Sequence, residues 1–203
     1  MNTLLYLDVE ALPAKLSLAQ PLSDEAFEAF CLKSDNVQIE RTKEGEIVMH
    51  SPTRVDTSDG NSEINRQLRN WWTTHRRGKV FESNAGFFLN DTSMLCPDAC
   101  YLLPETVARF GARGAAQIPH VCPDFVLELL SQSDSLREAQ EKMVNWVANG
   151  ASLGWLIDPY KRRVEVYRPG AEAVVISGDS IDGIGPADGF VLDLAEIWRC
   201  YEN

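Results

Sequence analysis

Two Pro-Asp dipeptides, Pro97-Asp98 and Pro123-Asp124, each stand at the start of a β-like run. The second run, PDFVLELLS over residues 123–131, carries Glu128 in its apolar centre. Alternation along a strand puts Asp124, Val126, Glu128 and Leu130 on one face and Phe125, Leu127 and Leu129 on the other. The second face is uniformly apolar and is predicted to pack on a helix, so Glu128 looks into whatever covers the opposite face. A strand this apolar on both sides is unlike a sheet edge, and a lone acid buried in it needs a partner. If the strand that Asp98 opens lies alongside, Asp98 and Glu128 converge at neighbouring strand ends, where two carboxylates make a hard-cation site. Asp98 fits a turn equally well, because Pro-Asp is a common turn dipeptide, and Asp124 at the strand entrance fits a turn or cap.

The elements that must position these acids follow from periodicity and capping. Residues 23–33 open with Ser23, Asp24 and Glu25 and read as a capped helix. Residues 37–52, VQIERTKEGEIVMHSP, alternate on either side of Lys43-Glu44-Gly45-Glu46, the pattern of a β-hairpin. Residues 60–77 place Ile64, Leu68, Trp71 and Trp72 on one helical face, with Gly78 as the expected stop. Strand-like runs follow at 79–89, 95–103 and 121–131, the first two joined by NDTSM, with a short helical segment near PETVARF. Ser135 and Glu138 form a capping box that opens a helix with the stripe Leu136, Ala139, Met143 and Val147, ending near Gly150. At ~100° per residue Lys142 falls on the border of that stripe. A lysine there either lays its stem over apolar surface with its head in water or, if the helix packs back over the Glu128 strand, reaches the carboxylates. LGWLIDP and RRVEVYRP read as a strand pair turning at Tyr160-Lys161-Arg162, followed by a strand AVVIS and a tail ending in FVLDLAEIWRCY. The order predicts one α/β or α+β domain over 1–203 with a mixed sheet, residues 1–35 forming an N-terminal helical extension and 36–203 the core.

Bulk properties narrow the functions. With 203 residues, 44% hydrophobic and 24% charged, the chain can bury a sizeable core. A net charge of −11 counts against a general nucleic-acid coat, because phosphate binding is driven by basic surface. Any nucleic-acid role must be local, through bound metal or a small basic patch. HRRGK at 75–79 is the one compact basic cluster; it fits a helix C-terminus or, extended by Arg66 and Arg69, a phosphate contact. The five cysteines at 31, 96, 100, 122 and 200 are odd in number and scattered, which suits a reducing cytoplasm. Zinc at Cys96 and Cys100 is disfavoured: on a strand they stand ~13 Å apart, whereas two thiolates sharing a zinc lie within ~4.6 Å. Trp71, Trp72, Trp146 and Trp155 read as core rather than as base-stacking platforms. The N-terminal apolar patch is broken by acids and lacks a basic lead, so no signal peptide is expected, and no run reaches membrane-spanning length.

The segments GEIVMHSPT, PDACYL, CPDFVLELLSQSDSLREAQEKM, NGASLGWLIDP, RRVEVYRPG and GFVLDLAEIW carry a resemblance. In this order, from about Val37 to about Trp198, the chain resembles the Uma-two family of restriction-type endonucleases in the PD-(D/E)XK superfamily. The resemblance implies a restriction-endonuclease-like core: a mixed central sheet flanked by helices, with a divalent metal at one edge. Carried over, Asp98 takes the place of the motif's first acid and Glu128 that of the second. The motif lysine belongs two residues after the second acid, where Leu130 stands; Lys142 on the next helix fits the relocated lysine of the family. Nucleases of this superfamily often add a Glu from the first core helix, for which Glu63 is the candidate, although it lies off the Ile64–Leu68–Trp71 stripe. The implied function is Mg²⁺- or Mn²⁺-dependent hydrolysis of DNA phosphodiesters, at a local DNA contact and with a homodimer as the common working form. The alternative is a catalytically inactive member that keeps the fold as a binding or interaction module. The position of Lys142 relative to the acids separates the two.

Overall fold

A proline marks one of the points where the chain changes sheets. In a computed structural model that describes residues 14–34, 37–110 and 117–202, the first elements are β1 (Ala14–Leu16), α1 (Asp24–Cys31), β2 (Ile39–Arg41) and β3 (Ile47–Met49). Ser23 caps α1 by accepting from the Ala26 N–H, and β2 and β3 form the expected antiparallel hairpin. Next come α2 (Val55–His75), β4 (Lys79–Glu82), β5 (Phe87–Phe88), β6 (Met94–Leu95) and β7 (Ala99–Leu102). The expected runs 79–89 and 95–103 are thus each split. β5 and β6 join the hairpin in a five-stranded sheet ordered β1-β3-β2-β6-β5, while β4 and β7 pair in a second sheet. The second split falls at Cys96-Pro97-Asp98, where proline has no N–H to give to a ladder. Asp98 therefore sits on the seam between the sheets.

The remaining elements are α3 (Pro104–Val107), β8 (Phe125–Leu129), α4 (Leu136–Ala148), β9 (Leu153–Asp158), β10 (Arg163–Tyr167), β11 (Val174–Ser177), β12 (Ser180–Asp182), β13 (Val191–Asp193) and α5 (Leu194–Arg199). The second sheet runs β11-β10-β9-β8-β7-β4 and is mixed, its only parallel pair being β8 with β9 among the described residues. A parallel pair needs a crossover, and α4 supplies it, which lays this helix back over the sheet. On the other face α2 contributes Ile64 and Leu68 to a core with Phe125, Leu127, Leu129 and Trp155. Met143 and Trp146 of α4 pack with Val126, Cys100 and Leu156 on the near face. Both faces of β8 are covered, as its sequence predicts.

The expected helical extension over 1–35 holds, besides α1, the strand β1 paired with β3, and its residues 1–13 and 35 lie outside the described residues. Two boundaries of α2 also differ from expectation. α2 begins at Val55 rather than at 60, and Arg76, with φ of 50°, takes the left-handed cap position and donates its N–H to Trp72. Gly78 serves a different need: with φ of 66° it passes β7 so closely that a β-carbon there would stand 2.0 Å from the Leu102 carbonyl oxygen. Trp146 and Trp155 are buried, and Trp71 and Trp72 pack partly buried against the core. Among the described residues no helix is long and apolar enough to cross a membrane.

Candidate active site

Strand register brings Asp98 and Glu128 near each other. β7 and β8 pair antiparallel with Ala99 opposite Leu127, so continuing by one rung sets Asp98 beside Glu128, close enough for its charge to act on that carboxyl. Asp98, at the seam, accepts the Leu129 N–H at 2.7 Å and the Asn61 side-chain amide at 3.0 Å. Asn65 donates to the Asp98 main-chain carbonyl at 3.2 Å. Glu128 lies beneath α4, where it accepts Trp146 Nε1 at 2.8 Å. Its carboxylate oxygens are 3.0 and 3.1 Å from Lys142 Nζ.

Lys142 also donates to the Cys96 carbonyl at 2.9 Å and pairs with Glu40 Oε1 at 2.9 Å. Glu40 comes from β2, across the seam, and also accepts the Cys96 N–H at 2.8 Å and faces His50 Nε2 at 3.1 Å. The lysine expected at the stripe border thus turns inward, and its three N–H bonds are shared among two carboxylates and a carbonyl.

The close approach of α4 makes this reach possible. A β-carbon at Gly154 of β9 would stand 2.4 Å from the Met143 methyl, so the missing side chain leaves room for Met143 of α4 against the sheet.

Burial and mutual repulsion set the charges. Burial raises the Glu128 carboxyl, and Asp98 and Glu40 add to that against Lys142 and Trp146, leaving it up at about 8. Burial opposes Glu40 as well, but Lys142, His50 and the Cys96 N–H outweigh it and hold Glu40 at about 2. Asp98 is raised, chiefly by burial. Lys142 is raised in spite of burial by Glu128, Glu40 and Asp98 and stays cationic. One ammonium cannot neutralise three carboxylates. Glu40 takes it first, because His50 and a main-chain N–H also favour its ionised form.

That imbalance tests whether a divalent cation fits. Three carboxyl groups share a single ammonium, and among the described residues Asp98 makes no ion pair. Ionising all three together needs a further cation. Hard oxygen donors with net negative charge suit Mg²⁺ or Mn²⁺, which keep several waters and need few protein ligands. The donor set is sparse: among the described residues no three His, Cys, Asp or Glu side chains form a metal-holding group. The residues fit a hydrated cation bound by one or two carboxylates, and not an all-protein cage.

Other expected groups lie elsewhere. Glu63 is not brought to this cluster. Two positions beyond Asn61 on α2, it lies roughly 200° around the helix, and Arg66 and Gln67 hold its carboxylate. Arg66 is thereby engaged, and the Arg69 guanidinium stacks 4.5 Å from the Trp72 ring centre. Cys96 and Cys100 are buried free thiols whose pKa values are raised by burial. Asp124 accepts the Leu103 N–H at 2.8 Å, a long-range tie between the end of β7 and the start of β8 and not a local turn bond. Glu40 was not legible, because one acid beside Ile39 in a hairpin strand looks like any solvent-facing residue.

The fold is that of a nuclease-like protein. It matches a crystal structure described as "a putative nuclease belonging to DUF820 from Anabaena variabilis ATCC 29413", with a TM-score of 0.76 and 22% identity over 90% of this chain and 100% of that one. No curated protein matches the sequence. The family model Uma2, described as "Putative restriction endonuclease", matches residues 24–195. The chain belongs to the Uma2 family.

Proposed function

We propose that this protein is a metal-dependent endonuclease acting on DNA phosphodiesters, with Asp98 and Glu128 holding Mg²⁺ or Mn²⁺. The observation that carries this reading is the buried excess of carboxylates at the seam, at the two positions where the family resemblance puts the motif's acids. When bound, the cation polarises the scissile phosphate and lowers the pKa of a coordinated water. Asp98 is aimed by the Leu129 N–H and Asn61, and Glu128 by Trp146 and Lys142. Lys142 has no free donor and stays protonated, so it acts as a fixed positive charge that orients Glu128 and not as a proton carrier. Glu40 and His50 hold the ammonium in place from the hairpin side. With a net charge of −11, DNA contact is confined to local patches of the surface, the seam among them.

The direct test incubates purified protein and Mg²⁺ or Mn²⁺ with plasmid and with single-stranded DNA. Cleavage abolished by Glu128→Ala and by chelator is expected. Inactivity under all these conditions, or activity that survives Glu128→Ala, overturns the proposal. Cation binding without cleavage favours the second reading, a nuclease-fold binding module; the inward turn of Lys142 onto Glu128 favours the enzyme.

A further inference from the structure

The turn that ends α2 is basic and exposed, and its main chain is clamped. Arg76, Arg77 and Lys79 are exposed there, and Arg69 is exposed on the helix itself. The chain carries 30 acids against 19 Lys and Arg, yet none of these four cations makes an ion pair among the described residues, whereas the neighbouring Arg66 is paired with Glu63. The helix dipole favours cations at this end, but its charge of about −0.5 matches less than one of them. Three hydrogen bonds fix the turn residue by residue. The Arg76 N–H donates to the Trp72 carbonyl at 2.7 Å, the Tyr101 hydroxyl to the Arg77 carbonyl at 3.0 Å, and Trp72 Nε1 to the Gly78 carbonyl at 3.1 Å. Solubility asks for no such clamp.

Beside the turn lies a cleft of about 470 Å³ lined by Trp71, Trp72, Tyr101, Pro104 and Pro186, together with His75 and Arg77. Trp71 meets Tyr101 edge-on, ring centres 5.1 Å apart, and both tryptophans keep part of their surface exposed. Two acids, Glu105 and Asp188, also line the cleft. They repel a phosphate but can accept from the N–H edge of a base. Fixed cations beside an aromatic cleft supply the two parts of a surface for an unpaired strand, charges for its phosphates and rings for a base. A duplex keeps its ring faces stacked and would use the cations alone.

We propose that the end of α2 is a second DNA contact, where an unpaired nucleotide lays its base in the cleft and its phosphates on Arg76, Arg77 and Lys79. The proposal rests on the DNA reading above and adds where the strand is gripped. Asn61, which touches Asp98, and Arg76 are separated by about 22 Å of helix at 1.5 Å per residue. That is on the order of six nucleotide steps of 3.4 Å.

Fluorescence anisotropy with a short labelled single strand, in chelator so that no cation takes part, tests it. Arg77→Ala combined with Lys79→Ala is expected to weaken binding at least about tenfold. The slope of log affinity against log salt should fall by roughly 1.4, at ~0.7 for each lost phosphate. The same strand made abasic keeps its phosphates and is expected to bind about tenfold more weakly, the worth of stacking one base. Undiminished affinity or an unchanged slope in the double variant overturns the phosphate contact. An abasic strand or the matching duplex bound as tightly as the single strand overturns the base in the cleft. Equal competition by polyglutamate reveals a general anion surface and overturns the nucleic-acid assignment. Melting checks that the double variant is folded, with Arg77→Gln and Lys79→Gln as the replacement pair. Plasmid cleavage with Mg²⁺ or Mn²⁺ separates this proposal from the metal-dependent reading. Cleavage without strand binding overturns the contact alone, strand binding without cleavage overturns the enzyme alone, and the absence of both overturns both.

Discussion

Lys142 has three N–H bonds and three acceptors, Glu40, Glu128 and the Cys96 carbonyl. Removing it strands the ionised Glu40 and takes a hydrogen-bond donor from Glu128, and breaking a buried pair from one side costs about 3–5 kcal/mol. Lys142→Met is therefore expected to lower stability by that amount in urea unfolding at pH 7. A loss below about 1 kcal/mol, the range of exposed pairs, contradicts the buried geometry. The two acids differ in the sign of their pH dependence. Glu40, held at about 2, ionises more readily in the folded chain than its ordinary 4.5. Its contribution is present above 4.5 and drains as pH falls from 4.5 towards 2. Glu128, raised to about 8, favours the neutral form in the folded chain, so cation-free protein loses stability as pH rises from 4.5 to 8. In chelator, Glu128→Gln is expected to melt with a flatter pH profile than wild type across pH 5–8, and Glu40→Gln to lose the acid-side slope. Parallel profiles would refute the assignment.

At the scale of elements, α4 matters because it belongs to two structures at once. As the crossover between β8 and β9 it closes the core through Met143 and Trp146, and the same helix hands Lys142 and the Trp146 N–H to Glu128. Met143 packs on the sheet at Gly154. Gly154→Ala puts a β-carbon where the Met143 methyl now lies, but that methyl is the far end of a flexible side chain and can turn aside. The expected outcome is a loss below about 1 kcal/mol, the low end of overpacking, with Mn²⁺ binding unchanged. A large drop in melting temperature with weaker Mn²⁺ binding would show instead that α4 is displaced and takes Lys142 with it. The capping box of α4 and its stripe are readable from sequence because they are local. The split of 95–103 is not, since Pro97 marks an interruption without saying that the chain leaves one sheet for another.

For the whole molecule, the site lies where two sheets abut: Glu40 comes from one, Glu128 from the other, and Asp98 from the seam. A cation bound there would bind the folded state only, so Mn²⁺ is expected to raise stability. At a hundred times the dissociation constant the gain is about 2.7 kcal/mol. A melting temperature that rises with Mn²⁺ in wild type and not in Asp98→Ala is the expected result; no rise at millimolar Mn²⁺ counts against the site.

The sequence by itself determined the strand that buries Glu128, the helix that carries Lys142, their order and the family. Each of these is written in local periodicity, capping residues or contiguous motifs. Only the tertiary structure decided that Lys142 turns inward, that Glu40 and Asn61 join Asp98 and Glu128, and that Glu63 does not. Those outcomes depend on how two sheets and two helices pack across long separations in the chain, and an isolated acid or amide looks the same in sequence whether it faces water or a buried charge.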